Sequence, residues 1–252
     1  MVKTSSNDLA NLWKELGIRK GDGVMCHSFL PSLGLIEGGG AAVIQSLLCA
    51  VGDSGNLIFP SFTYSYCENR VFDWHHSRSA VGVLADLARD FPACERSLDP
   101  NFSMVCLGPE AGLLMERNSK HSFGETSIYH KIYLRNFKML FLGVDFTALS
   151  LFMHLEKIIN VKYRYDKNFT GETLKDQKRF MDEAVHFVRN LDIKFSTDRK
   201  PMGEILASHS DCRKAFCGFK PHWCMPALTI GDLVFDKVRS DPYFLIRMEA
   251  PL

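Results

Sequence analysis

Within Ser150-Leu-Phe-Met-His-Leu-Glu156 an imidazole and a carboxylate lie two residues apart, and Tyr163-Arg-Tyr-Asp-Lys167 adds two cations shortly after. An imidazole titrates near neutral pH, so His154 is a candidate general base for a reaction that strips a proton from a nucleophile. Helix residues two apart do not face each other, so a helical segment would not pair His154 with Glu156. A second stretch, His27 to Gly40, carries two serines and four glycines. Backbone N–H groups of such a loop can cradle a phosphate where a helix begins. It contains neither Gly-Lys-Ser/Thr nor G-x-G-x-x-G, so a ligand loop and a structural turn both stay open. Cys212-x4-Cys217-x4-His222-x-Cys224 gathers four soft ligands. Structural zinc sites use closer Cys pairs and a longer gap, which makes a zinc-stabilised hydrolase a distant reading. His75-His76 lacks a third ligand, and no G-x-S-x-G elbow marks a nucleophilic serine.

The elements that would position these groups follow from periodicity. Val24-Met-Cys26 reads as a short buried strand ending at His27-Ser28. Ala41 to Val51 reads as a helix with Val43, Leu47 and Val51 on one face, and Leu57-Ile-Phe59 as a second strand stopped by Pro60. This β-loop-α-β order predicts an α/β fold with some parallel pairing. Met139 to Val144 is expected as the central strand, feeding a helix over Phe152 to Val161. Further helices are expected over Asn7–Leu16, Val81–Phe91, Ile128–Leu134 and Gly231–Arg239. Thr63 to Ser79 has no period and reads as a binding loop. Thr170-Gly-Glu-Thr173 reads as a turn, and Leu174 to Leu191 as a long helix or a strand–helix mixture. Tyr243-Phe-Leu-Ile246 reads as a terminal apolar anchor. No repeat or linker divides the chain, so one domain over residues 1–252 is expected.

Composition narrows the function classes. A net charge of +1 over 252 residues gives no electrostatic footprint for nucleic acid. No window approaches the roughly 20 apolar residues of a membrane helix, and Ser5-Ser-Asn-Asp8 does not resemble a signal peptide. Several of the eight cysteines sit in apolar runs, where a free thiol behaves as a small hydrophobe. A reduced, cytoplasmic protein is expected.

Several segments, in order, resemble the aminoglycoside 3-N-acetyltransferase family of acetyl-CoA-dependent enzymes. Met25-Cys-His-Ser-Phe-Leu-Pro-Ser-Leu-Gly34, with Glu37-Gly-Gly39, is similar to that family's "HSSL.SLG.v.GG" loop. Gly52 to Thr63 is similar to "GP.GTLv.PTFT", and Asp99-Pro-Asn-Phe-Ser103 to its "DP..S". Leu140 to Phe146 and Asp241 to Ile246 fit as well. Tyr64-Ser-Tyr-Cys67, Ser122-Phe-Gly-Glu125 and Tyr163 to Lys167 look most like members from polysaccharide or amino-sugar pathways, which weakens a drug-resistance reading. The resemblance covers nearly the whole chain. It implies an α/β domain with a mixed, partly parallel central sheet flanked by helices, acetyl-CoA as co-substrate, no metal, and an amino-sugar amine as acceptor. A homo-oligomer is compatible with it.

The same resemblance implies site residues. His27, Ser28, Phe29, Leu30, Ser32, Leu33 and Gly34 would contact coenzyme A, and Thr63, Tyr64 and Ser79 would line the acceptor cleft. A His in the family's "T..H..E" segment is the base. Aligned without a gap, that His falls on Met153, with Glu156 in place three residues later, and His154 is the neighbour. A one-residue shift at the helix start would bring His154 to the site, a turn of about 100°. Asp99 and Glu156 would then be orienting or substrate-binding carboxylates. The rival reading is a non-catalytic relative that keeps the coenzyme A or sugar pocket without the base.

Overall fold

The computed structural model describes residues 2–249. Its centre is a seven-stranded sheet. In chain order its strands are β1 (Gly23–Ser28), β2 (Asn56–Pro60), β3 (Glu95–Arg96), β4 (Met104–Leu107) and β5 (Lys138–Leu142). A long hairpin, β6 (Arg164–Lys175) and β7 (Lys178–Arg189), stands outside it, and β8 (Arg213–Cys217) and β9 (Lys220–Pro226) complete it. The spatial order is β8-β9-β5-β1-β2-β4-β3. β1 runs parallel to both β2 and β5, and the outer strands pair antiparallel. The sheet is therefore mixed, with a parallel centre.

Strand residues alternate between two cores, as a period of two demands. Val24, Cys26, Leu57, Phe59, Leu140 and Leu142 face α1 (Ser6–Glu15) and α2 (Gly39–Val51). Met25, Ile58, Met139 and Phe141 face the other core, built on α3 (Ile128–Leu134), α4 (Leu151–Ile159), α5 (Lys200–Ser208) and α6 (Ala227–Ser240). His27 follows Cys26 on β1, so its ring shares the Met25 face and stacks on Phe141 at 5.6 Å. Leu245 and Ile246 are buried in this second core, as the terminal anchor predicts.

Two expectations change. Thr170 to Thr173 is not a turn but lies inside β6, and Leu174 to Leu191 is not a helix but the end of β6 and the strand β7. The reversal sits at Asp176-Gln177, both in the left-handed region, the geometry of a two-residue hairpin turn. Charged residues of good helix propensity mask a strand there, because twelve cross-strand pairs outweigh local preference. The helix expected over Val81–Phe91 is confined to Leu84–Ala88, and the last helix starts four residues earlier than expected, at Ala227. No helix among the described residues is long and apolar enough to cross a membrane.

Candidate functional site

The C-terminal ends of β1, β2 and β5 open onto one cleft of about 300 Å³. Ligands of open α/β sheets bind at this edge. β1 contributes Cys26, His27 and Ser28, β2 contributes Phe59 and Pro60, and the connection after β5 brings Val144, Ala148, Leu149 and Ser150. That connection leaves β5 through Gly143, at φ 73°, where a Cβ would lie 1.8 Å from the Ser32 hydroxyl. Asp145 then caps a short 3-10 turn through its hydrogen bond from the Thr147 N–H, and Ser150 starts α4. Tyr64, Met153 and Arg199 close the wall.

His27 and Ser150 form the polar centre of the cleft. His27 Nε2 lies 2.9 Å from Ser150 Oγ, and the Ser150 N–H also donates to Nε2 at 3.3 Å. An N–H donor makes Nε2 the acceptor, which places the ring proton on Nδ1 and lets the Ser150 hydroxyl donate to Nε2. Burial lowers the His27 pKa to about 4, so the ring is neutral at pH 7. A neutral imidazole holding a serine hydroxyl is an arrangement able to take a proton from a nucleophile through that hydroxyl.

The predicted base lies elsewhere. On α4, Met153 faces the cleft, and His154, one residue and about 100° on, is fully buried on another face. Its ring packs among Tyr129, His130 and Tyr133 of α3, with centroids 5.5 to 6.3 Å away. Nδ1 accepts from the Gly124 N–H at 3.2 Å, and Nε2 is buried without a partner among the described residues. Burial, followed by the neighbouring His130, lowers the His154 pKa to about 3. The one-residue shift that would bring His154 to the cleft does not occur, because α4 turns Met153 and not His154 to the cleft.

The carboxylates are also occupied. Glu156 is fully buried, accepting from the Tyr163 hydroxyl at 2.9 Å and pairing with Arg164 at 3.0 Å and Arg199 at 3.4 Å. It does not line the cleft. Asp99 caps its own turn, accepting from the N–H groups of Asn101 and Phe102. It also accepts from the Ser122 hydroxyl, whose oxygen lies 2.7 Å from His186 Nδ1. That buried network ties the Asp99 turn to β7, away from the cleft. Thus His154, Glu156 and Asp99 are not brought together at one reacting point.

Of the remaining predicted residues, His27, Ser28 and Tyr64 line the cleft. Phe29 lines an adjoining groove with Trp223 and Lys220, which shares Val144 and Ala148 with the cleft. Leu30 to Leu33 form a 3-10 turn: Leu33 is core, and the Ser32 carbonyl accepts from the Phe219 N–H. Gly34 lies against the Val2 carbonyl. Thr63 donates its hydroxyl to the Pro100 carbonyl, and the Ser79 N–H donates to Asp86. Neither lines the cleft. Sequence reasoning assigned no role to Ser150 or Arg199. Ser150 carried a signal, the hydroxyl opening the α4 segment, whereas Arg199 lies 43 residues beyond Glu156 with no local pattern to reveal it. Near the Cys/His cluster, His222 Nε2 bonds the Cys217 carbonyl at 2.7 Å. No group of three or more His, Cys, Asp or Glu among the described residues is arranged to hold a metal ion.

A mixed sheet with a ligand-sized cleft at the carboxyl edge of its parallel strands defines the class: an α/β protein with an enzyme-type site. The aminoglycoside 3-N-acetyltransferase family profile matches residues 25–237, and the chain belongs to that family of acyltransferases. It is 30% identical over 177 residues to the prophage-derived aminoglycoside N(3')-acetyltransferase-like protein YokD of Bacillus subtilis, covering 58% of this chain and 65% of YokD. It is 26% identical over 190 residues to aminoglycoside N(3)-acetyltransferase III of Pseudomonas aeruginosa, covering 68% and 70%. The chain thus spans about two thirds of those relatives' lengths. The solved structure of AAC-IIIb in binary complex with CoASH superposes with a TM-score of 0.84 at 21% identity, over 99% of each chain, and shares the fold.

Proposed function

We propose that this chain transfers an acetyl group from acetyl-CoA to the amine of an amino sugar, with proton removal by His27 acting through Ser150. The observation that carries the reading is the His27 Nε2–Ser150 Oγ contact of 2.9 Å on the cleft wall, in a chain of acetyltransferase kinship. The apolar flank, with Phe59, Phe62, Leu84 and Leu149, suits a thioester and its alkyl arm. On this reading Ser28, which lines the cleft, and Phe29, in the adjoining groove, are the residues of the 27–34 loop that contact the coenzyme. In the reaction the amine nitrogen bonds the thioester carbonyl carbon. Its proton goes to the Ser150 oxygen as the hydroxyl proton passes to His27 Nε2. The C–S bond then breaks, and the departing thiolate recovers the proton from His27. Eight unpaired cysteines suit a reducing compartment such as the cytoplasm.

Met153 favours a second reading, because a thioether at the family's base position cannot take a proton. A chain that binds coenzyme A without turnover would follow. Thiol release from acetyl-CoA over a panel of amino sugars separates the two. On the first reading, Ser150→Ala and His27→Gln each lower kcat by about 10²-fold or more with the Kd for coenzyme A unchanged. Coenzyme A binding without thiol release on any acceptor would establish the second.

A further inference from the structure

The cleft wall carries one formal charge, and it is positive. Among the lining residues, only Arg199 is ionised at pH 7, since His27 is neutral. Its side chain is 11% exposed, its Nε is buried without a hydrogen-bond partner among the described residues, and its guanidinium lies 4.8 Å over the Phe152 ring. Behind it one carboxylate, Glu156, faces two guanidiniums, Arg164 and Arg199. Tyr163 adds a neutral hydroxyl, and the next carboxylate along the chain, Asp198, pairs with Arg247. Among the described residues the cluster therefore keeps one positive charge without a counter-charge, and a buried cation without an anion is costly. The nearest carboxylate on the adjoining groove, Asp145, accepts from the backbone and hydroxyl of Thr147 and shares that groove with Lys220.

We infer that the acceptor is an acidic amino sugar whose carboxylate pairs with Arg199, rather than a polycation. The inference rests on the acetyl-transfer reading for the word acceptor, but its recognition chemistry stands without turnover. A guanidinium forms charge-assisted, bidentate hydrogen bonds with a carboxylate, and no carboxylate on the cleft wall awaits extra ammonium groups. Coenzyme A is the other source of anionic groups, so the test separates the two.

Calorimetry on the full chain saturated with CoASH compares three ligands: a 2-amino-2-deoxyuronic acid, the matching uncharged 2-amino sugar, and a polycationic aminoglycoside. CoASH alone is titrated separately. The acidic sugar should bind at least tenfold more tightly than its neutral counterpart. Arg199→Gln should erase that ratio, Arg199→Lys should keep part of it, and the Kd for CoASH should stay within twofold in both. Thermal melts of both variants establish that they fold. Equal affinity for the acidic and neutral sugars overturns the inference, as does tighter binding of the polycation. A ratio unchanged in Arg199→Gln, with CoASH affinity reduced, assigns the residue to the coenzyme and also overturns it. The ratio in wild type without thiol release removes the acetyl-transfer reading while the recognition claim holds.

Discussion

Met153 stands on the cleft wall where the family resemblance implies a basic imidazole. Met153 occupies the cleft-facing place on α4, while His154 sits buried against α3, away from the cleft wall. Met153→His should therefore add a proton acceptor on the cleft wall, three residues from Glu156. We expect kcat for thiol release to rise by about tenfold or more, within the 10²–10⁴ range of general-base contributions, whereas Met153→Gln should not raise it. No gain with Met153→His would show that the amine, held at Ser150, does not reach the Met153 position. His154→Ala should do the opposite of what a base would: the rate stays within about twofold, while a cavity in the core costs about 2–4 kcal/mol. A chemical denaturation curve beside the same thiol assay reads both quantities. The residue types of the site were legible in the sequence, since an imidazole, serines and carboxylates stand in plain view. Which way each faces was not. The gap-free register put Met153 in the family position, but only the packing of His154 among Tyr129, His130 and Tyr133 shows that α4 does not slip. Arg199 left no trace at all, because its relation to Glu156 exists only once Arg199, just before α5, meets Phe152 and Glu156 of α4.

At the scale of elements, the site depends on how the chain leaves three parallel strands. β1 delivers His27 on the Met25 face by simple alternation, so its direction follows once the strand is placed. β5 must turn sharply enough to start α4 over the cleft, and Gly143 makes that turn at φ 73° with its Cα against Ser32. Gly143→Ala meets both penalties, a left-handed conformation for an L-residue and a Cβ 1.8 Å from Ser32 Oγ. We expect a loss of about 2–4 kcal/mol, read as a drop in melting temperature, together with a fall in kcat because Ser150 moves with the turn. A melting temperature within a degree or two of wild type would mean that Ser32 yields freely and the turn is not the constraint. The strands β1, β2 and β5 were readable because buried parallel strands are short apolar runs. The hairpin β6–β7 was not. Its outer face is polar, and Lys178-Arg-Phe-Met-Asp-Glu183 has the composition of an exposed helix. Only the Asp176-Gln177 reversal and the pairing of Arg164 with Arg189 reveal it. That hairpin brings Arg164 to Glu156 and so sets the charge behind the cleft.

For the whole molecule, the consequence of burying imidazoles on both sides of α4 is sensitivity to acid. His27 and His154 have folded-state pKa values lowered to about 4 and about 3, chiefly by burial. Burial lowers the pKa of His186 and His222 as well. Above pH 6.5, the ordinary histidine value, neither the folded nor the unfolded chain binds protons at these sites, and they leave stability undisturbed. As the pH falls below that value the unfolded chain takes up protons that the folded chain refuses. Stability is then lost continuously until the folded-state values near 4 and 3 are passed, where the loss levels off. The penalties for His27 and His154 are each on the order of 3 kcal/mol or more, large against a typical stability of about 5–15 kcal/mol. The urea midpoint should therefore fall steeply between about pH 6 and pH 4. His154→Phe should flatten that fall, because a ring of similar shape remains and the proton-binding difference does not. A midpoint constant from pH 7 to pH 4.5 in the wild-type chain would mean that water reaches these rings, and that His27 is not held neutral beside Ser150. The same profile bears on activity. Because His27 must be neutral to take the Ser150 proton, folding and proton transfer demand the same protonation state, and acid should abolish both over overlapping ranges.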